Sequence, residues 1–220
     1  LVPTIEEAFA GSTIRDEQLR MMFSCCDPPL AEEVQVALVL NILCGFGASE
    51  IAGAFLTSRA AMEKRISRGK KSLASSRRLF DLADAEFGAR LSAVRRALYL
   101  LFNEGYHGAS PESAVRQELC REAMRLTALL LEHPRGATPA TRALAALMAL
   151  NAARLPGRID ASGNLSGLFD QDRSRWDRQL VEEGLHFLDL SASGSDLTEY
   201  HVEAAIASVH ATAARAQDTD

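Results

Sequence analysis

Residues Ala48–Leu73 read ASEIAGAFLTSRAAMEKRISRGKKSL, and this stretch decides the fold. Apolar residues recur at helical spacing over about 48–55 and again over about 59–75. Between these two segments, Leu56-Thr57-Ser58 predicts a tight turn. A short helix, a tight turn and a longer helix are typical of a DNA-binding helix-turn-helix, whose second helix enters the major groove. We therefore predict that this stretch binds DNA.

The second helix is strongly basic, although the chain as a whole carries a net charge of −5. From Ser58 to Arg78 the sequence has eight Lys or Arg residues and one acid, Glu63, which gives this segment a charge of +7 and leaves −12 on the rest. A local basic stripe on an acidic body is an electrostatic footprint for a polyanion. The alternative is an exposed charged face without a partner.

Helical geometry divides the side chains of this helix between two faces. At about 100° per residue, Met62, Ile66, Gly69 and Leu73 fall within one narrow arc, which we predict to be buried. In a helix-turn-helix, the N-terminal residues of the second helix contact base edges. We assign base recognition to Arg59, Ala60, Glu63 and Lys64, and phosphate contacts to Arg65, Arg68, Lys70 and Lys71, with Ser67 on the same exposed face.

The whole sequence predicts an all-α protein, in which a helix-turn-helix domain (winged-helix-like, with three or four helices) precedes a helical-bundle domain. The predicted domains are a linker end at 1–13, the helix-turn-helix domain at 14–76, a connector at 77–90 and the helical domain at 91–220. A short helix around Leu19–Phe23 ends at Asp27-Pro28-Pro29, and further helices are predicted at about Leu30–Leu43, Leu91–Asn103, Pro111–Glu132, Pro139–Arg154, Ser174–Leu190 and Leu197–Ala214. The predicted caps are Ser110, Thr138 and the pair Asp196-x-x-Glu199, and the long loop Leu155–Arg173 is predicted to contain a small hairpin over Ile159–Leu168.

Two polar clusters lie in the second half of the sequence. One follows a helix at Asn103, Glu104, Tyr106 and His107, and the other precedes a helix at Asp170, Asp172, Arg173, Arg175, Trp176 and Asp177. We expect a structural or interaction network, in which Asp172 or Ser174 caps the helix, Arg173 and Arg175 pair with acids such as Glu104, and Trp176 fills the core. A ligand-binding or regulatory site is the second interpretation and a catalytic pocket the third.

The sequence also indicates which kinds of protein this is not. It has no Gly-rich phosphate loop, nucleophile elbow or metal motif, so we expect neither an enzyme nor a cofactor nor a small-molecule substrate. Its longest apolar runs fall short of the roughly 18 to 20 residues of a membrane span, and it starts without a signal peptide. The four cysteines show no metal-ligand spacing, which favours free thiols in the cytoplasm over a redox or zinc role.

Several blocks of the first half resemble region 4 of the sigma-70 family, and most closely its extracytoplasmic-function (ECF) group. These blocks are DEQLRMMFSCC at Asp16–Cys26, VAL at Val36–Leu38, EIAGAFL at Glu50–Leu56 and KRISRGK at Lys64–Lys70. The second half resembles the ECF subfamily with a helical, tetratricopeptide-like C-terminal extension, through YLLFNEGY at Tyr99–Tyr106, LCREAMRL at Leu119–Leu126, AALM at Ala145–Met148, DQDRSRWD at Asp170–Asp177 and YHVEAAIA at Tyr200–Ala207. The resemblance covers residues 14–220.

The resemblance implies a role in transcription initiation. Region 4 binds the −35 promoter element and contacts RNA polymerase core through the flap of its β subunit. Region 2, which melts the promoter, is then expected before Leu1, and the chain is expected to be a fragment. We further hypothesise that the helical domain regulates region 4 or polymerase from within the same chain.

Three departures from the family pattern leave the promoter sequence open. Leu56 stands where many region 4 sequences have a turn glycine, Glu63 stands where Lys is frequent, and Asn151-Ala152 replaces a His-Asp pair. Two other functions remain as alternatives. One is a helix-turn-helix regulator with a ligand-sensing helical domain, and the other is a helical enzyme or scaffold with an incidental basic helix.

Overall fold

The computed structural model describes residues 17–75, 84–107, 117–158 and 165–219. Apart from a single β-bridge residue at Leu165, the regular structure in these ranges is helical, which confirms the all-α prediction. The helices are α1 Glu17–Cys25, α2 Glu32–Ile42, α3 Ala48–Ala54, α4 Arg59–Ser75, α5 Asp84–His107, α6 Gln117–Glu132, α7 Pro139–Ala152, α8 Leu155–Arg158, α9 Arg178–Ser191 and α10 Glu199–Thr212, with 3₁₀ turns at Arg173–Arg175 and Ala216–Asp218.

The chain divides into two compact units, and the boundary between them lies between Leu101 and Phe102, within α5. This helix begins at Asp84, so the prediction of a connector up to residue 90 and a helix from Leu91 is wrong over 84–90. Phe87 explains the earlier start, because it is buried and stacks on Phe23 with ring centroids 4.6 Å apart. Burial of an aromatic ring stabilises a helical turn that the weak local periodicity does not reveal. The rest of the predicted connector, 77–83, lies outside the described residues.

In the first unit, α2 is buried over six consecutive residues, from Gln35 to Leu40. The α1 helix ends at Cys25, just before Asp27-Pro28-Pro29, as predicted. Arg90 ties α5 to this corner, because its guanidinium donates to the Phe23 carbonyl at 3.0 Å and lies 3.7 Å from the Asp27 carboxylate. These contacts hold α5 against the end of α1 in the first unit.

The helix-turn-helix itself consists of α3, the turn and α4, with both helices packed together and α4 also packed on α2. The turn is closed by a hydrogen bond from the Thr57 N–H to the Ala52 carbonyl. Ser58 caps α4, because its hydroxyl accepts from the Ala61 N–H at 3.2 Å. A side chain at Gly69 would place its Cβ 2.8 Å from Val34 Cγ1, so glycine allows α4 to approach α2 closely.

Leu56 in the turn has a φ of +49°, in the left-handed region that leucine rarely adopts. Its side chain is 97% exposed, so the strain brings no burial in return. We predict that Leu56→Gly raises the free energy of unfolding of this unit by about 0.5–1 kcal/mol, because relief of the left-handed strain outweighs the greater flexibility of glycine in the unfolded chain. Amide hydrogen exchange in α3 and α4 measures the change, which corresponds to exchange about two- to fivefold slower.

Leu56→Ala is the matched control, since it removes the exposed side chain but keeps Cβ and therefore the strain. Its exchange rates should stay close to those of the wild type. Equal protection in the glycine and alanine variants would show that the turn is not strained.

The second unit is built around α7, against which α6, α9 and α10 pack. Thr138 caps this helix ahead of Pro139, as predicted, by accepting from the Thr141 N–H. Two other predicted helix starts are wrong. The α9 helix begins at Arg178, after a separate 3₁₀ turn, and α10 begins at Glu199 with Thr198 as its N-cap.

The cap of α10 differs from the predicted Asp196–Glu199 pair. The Thr198 N–H donates to Nδ1 of His201 at 3.1 Å, so the imidazole takes the place that a carboxylate holds in the usual capping box. The predicted loop Leu155–Arg173 contains α8, while Ser110 and most of the predicted hairpin, 159–164, lie outside the described residues.

All four cysteines are free thiols. Burial raises the pKa of Cys25 to about 12, that of Cys120 to about 11 and that of Cys26 well above its usual value, so these three stay protonated at neutral pH. Within the described ranges, none of the helices combines the length and the apolar character needed to cross a membrane.

Candidate nucleic-acid interface

The structure places the predicted DNA-binding residues together on α4, whose bounds match the prediction. Met62, Ile66, Gly69 and Leu73 are buried, which confirms the predicted inner face. Arg65 is half-buried, and the other members of the predicted set are exposed, namely Arg59, Ala60, Glu63, Lys64, Ser67, Arg68, Lys70 and Lys71. The predicted set is thus one continuous surface on one helix.

The centre of this surface is a stripe of unpaired cations, which we call the basic stripe: Lys64, Arg68 and Lys71. These residues follow one another at spacings of four and three, so they lie in one row along about 10 Å of helix. Within the described part of the chain, no carboxylate forms an ion pair with these three residues or with Lys70. Their positive charge is therefore free to attract an anionic partner.

Two other cations of the predicted set are already engaged. The Arg59 guanidinium lies 2.8 Å from the Glu63 carboxylate one turn later, and Arg65 lies 3.1 Å from Glu33 on α2. The sequence did not indicate the second pair, because Glu33 belongs to another helix. Exposed ion pairs contribute only about 0–1 kcal/mol, so a polyanion can displace them. Base recognition by Glu63, however, first requires the loss of its contact with Arg59.

The N-terminus of α4 is suited to close approach by a ligand. Ala60 and Ala61 are small and exposed, and the cap at Ser58 leaves N–H groups of the first turn without an intrahelical partner. The positive end of the helix dipole adds to the charge of the basic stripe.

In the second unit, Tyr106 is the most buried member of the first predicted polar cluster. Asn103 and Glu104 are half-buried, and His107 is exposed at the end of α5. Two arginines that sequence reasoning missed lie against the Tyr106 ring: the guanidinium carbon of Arg158 is 4.0 Å from the ring centroid, and that of Arg154 is 6.0 Å away.

The second predicted polar cluster is partly a capping network. Asp172 accepts from the Ser174 N–H and hydroxyl, and these hydrogen bonds lower the pKa of its carboxyl, while Asp177 caps α9 through the Leu180 N–H. Asp170 and Arg175 are exposed. Trp176 is buried, which confirms its predicted place in the core.

Arg173 does not pair with Glu104, so that prediction is wrong. Its guanidinium donates instead to the carbonyls of His210 and Ala213, both at 2.7 Å, and to the Thr219 hydroxyl at 3.4 Å. The carbonyls at the end of α10 lack helical partners, and they attract a cation through the negative end of the helix dipole. No spacing in the sequence indicates this contact across about forty residues.

An apolar groove of about 570 Å³ is a further feature of the second unit. It runs between α6, α7 and α9, and its lining includes Cys120, Met124, Met148, Leu180 and Phe187. The two Met side chains make its shape adaptable. The three arginines near Tyr106 and Trp176 are not part of this lining.

Comparisons with known proteins give one family match and one similar protein, which together cover both units of the chain. Residues 90–192 match the model of a family described as "Family of unknown function (DUF6596)". An uncharacterized protein of Rhizobium meliloti (strain 1021) is 41% identical over 212 residues, which is 96% of this chain and 50% of that relative. The chain therefore spans about half the length of the relative. No solved structure matches this chain.

Proposed function

We propose that this chain is part of a bacterial RNA polymerase sigma factor of the ECF type, which directs promoter-specific transcription initiation. In this proposal the helix-turn-helix binds the −35 element, and the second unit is a regulatory or interaction domain. The observation that carries the proposal is the basic stripe Lys64, Arg68 and Lys71. It is exposed on the second helix of a helix-turn-helix and forms no ion pair with the residues that the structure describes. The resemblance of the sequence blocks to region 4 supplies the more specific assignment.

The dimensions of α4 suit the major groove. A helix with its side chains is about 10–12 Å across, and the groove is about 12 Å wide. Duplex DNA carries one negative charge per roughly 1.7 Å of axis, so a row of three cations about 10 Å long meets several phosphates. The exposed alanines at the start of α4 let the backbone approach base edges, while Arg68 and Lys71 of the basic stripe contact phosphates.

The proposed partners are promoter DNA and RNA polymerase core, the latter through the flap of its β subunit. The acidic remainder of the chain limits nonspecific attraction to nucleic acid and concentrates it at α4. A pull-down with purified core polymerase tests the second partner. Retention of the chain by core supports the sigma-factor assignment, whereas DNA binding without retention supports an ordinary regulator.

We predict that Arg68→Ala reduces the slope of log affinity against log salt by about one unit and weakens binding to all DNA sequences by a similar factor, because Arg68 contacts phosphate. Lys64→Ala should in addition change the sequence preference, because Lys64 lies closer to the N-terminus of α4. Fluorescence anisotropy with labelled duplexes at several salt concentrations measures both effects.

Arg178→Ala is the control for this pair, since Arg178 is an exposed arginine of the second unit. It should leave both the slope and the preference unchanged. A wild-type affinity that does not depend on salt would exclude DNA binding by this chain.

A regulator with a ligand-sensing domain is the second candidate function. The observation that favours it is the group of arginines around Tyr106 and Trp176 in the second unit. A ligand-sensing second unit is compatible both with a sigma factor and with an ordinary regulator. The pull-down with core polymerase therefore distinguishes these two functions.

A further inference from the structure

Three guanidinium groups and two aromatic rings alternate in the second unit, and we call this arrangement the arginine ladder: Arg158, Tyr106, Arg154, Trp176 and Arg173. Arg158 lies 4.0 Å and Arg154 lies 6.0 Å from the Tyr106 ring centroid. Arg154 also lies 5.7 Å from the Trp176 ring, and Arg173 lies 4.9 Å from it. Arginines from two segments of the chain thus lie beside the same two aromatic rings.

This positive charge is not balanced by acids of the described residues. None of their carboxylates forms an ion pair with Arg154, Arg158 or Arg173. The surroundings also disfavour further positive charge. Partial desolvation, and then Arg158 and Arg154, lower the pKa of His107, while partial desolvation, and then Arg154 and Arg173, lower the pKa of His210. Several positive charges close together are unfavourable where water is partly excluded, unless an anion binds beside them.

The hydrogen-bond donors of the ladder are also only partly used. Arg158 has five N–H donors and no acceptor among the described residues, and its Nε is fully buried. Arg154 makes two long hydrogen bonds, to Gln171 Oε1 at 3.4 Å and to Asn151 Oδ1 at 3.3 Å. Stacking on an aromatic ring attracts a guanidinium, but it does not satisfy the N–H donors or neutralise the charge.

The two aromatic residues of the arginine ladder also carry polar atoms without hydrogen-bond partners among the described residues. Tyr106 and Trp176 are only 3% and 4% exposed, and the Tyr106 hydroxyl and the Trp176 Nε1 have no hydrogen-bond partner in the described part of the chain. Arg154 and Arg158 are half-buried and thus retain contact with solvent. Two half-buried guanidinium groups therefore lie beside buried polar atoms without a hydrogen-bond partner among the described residues, and a bound anion would satisfy the donors of the two groups.

We propose that the arginine ladder binds the phosphate group of a small phosphate monoester, with Arg158 and Arg154 as its hydrogen-bond donors and Arg173 as a third positive charge. The guanidinium fork matches the geometry of two oxygens of an oxyanion. A dianion is favoured over a single carboxylate because the ladder carries three positive charges. All five residues lie within the stretch 90–192 that matches the family of unknown function. This site is independent of the proposed DNA contact.

Trp176 is the single tryptophan of the chain, so its fluorescence reports on this site directly. Titration of the full chain with inorganic phosphate at constant ionic strength should give a saturable change in Trp176 emission. Sodium chloride at the same ionic strength should give none, and acetate should bind at least tenfold more weakly than phosphate. Arg158→Gln should raise the apparent Kd for phosphate at least tenfold, because it removes both the charge and the fork of donors.

Arg178→Gln is the matched control, as an exposed arginine outside the ladder, and it should bind phosphate like the wild type.

A second readout in the wild-type chain avoids any dependence on folding of the variant. Bound phosphate should raise the pKa of His107 in an NMR titration, because an anion stabilises the imidazolium form. The proposal is overturned if phosphate gives no saturable response, if Arg158→Gln binds as well as Arg178→Gln, or if the His107 pKa does not move. Lys64→Ala and Arg68→Ala, which test DNA binding, should leave the phosphate affinity unchanged.

Discussion

A variant with Lys64, Arg68 and Lys71 all replaced by glutamate should lose DNA affinity on the order of a thousandfold at about 0.1 M salt. The three replacements change the charge of the basic stripe from three positive to three negative charges. Attraction to phosphates supplies most of the affinity of sequence-independent binding, and each replaced cation turns an attraction into a repulsion. The side chains are exposed and have no ion pair with the described residues, so the fold of α4 should survive the change.

Arg121, Arg135 and Arg178 provide the control for net charge, because they are exposed arginines of the second unit. Their replacement by glutamate changes the net charge of the chain by the same amount. We expect this second variant to lose less than about tenfold in affinity, since long-range repulsion between surface charges is screened at this salt concentration. Similar losses in the two variants, measured by anisotropy with one duplex, would show that the effect is general repulsion and that α4 has no special role.

The helix-turn-helix was predictable from the sequence because its signals are local. The α4 helix has apolar residues at helical spacing over several turns, a serine before its first residue and mainly positive charges on its outer face. Its bounds, Arg59–Ser75, and its buried residues agree with the sequence prediction. The start of α5 was not predictable in the same way, because Phe87 is held by Phe23, which lies more than sixty residues earlier. Tertiary packing decides such helix ends, and local periodicity does not record it.

The arginine ladder was not predictable for a related reason. Tyr106, Arg173 and Trp176 stood out in the sequence as members of polar clusters, but Arg154 and Arg158 lie in what looked like the end of a helix and the start of a loop. The short helix α8 turns Arg158 toward the Tyr106 ring, and packing of α10 brings its last carbonyls to Arg173. A site assembled from segments about fifty residues apart leaves no spacing motif. The capping role of Asp172 was easier to predict, since a cap needs only its own helix, whereas the cap of α9 by Asp177 was not predicted.

Gly184 is a position where we expect a large loss of stability. It lies on α9 where this helix packs on α7, and a Cβ at this position would lie 2.7 Å from Leu150 Cγ and 3.2 Å from the Leu150 backbone nitrogen. The Leu150 side chain is fully buried and the backbone of α7 cannot move away alone, so the helices must separate. Gly184→Val should therefore lower the free energy of unfolding of the second unit by at least about 3 kcal/mol, which far exceeds the few tenths gained from helix propensity.

Urea unfolding followed by Trp176 fluorescence measures this change, because Trp176 lies in the same unit. Glu182→Val is the matched control, since it puts the same β-branched side chain on the exposed face of α9. It should cost no more than about 0.5 kcal/mol. Gly184→Ala should fall between the two, because its single methyl group meets the same Leu150 atoms but adds less volume. If Gly184→Val were as stable as Glu182→Val, the close approach of α9 to α7 at Leu150 would be wrong, because no side-chain rotation moves the Leu150 backbone nitrogen.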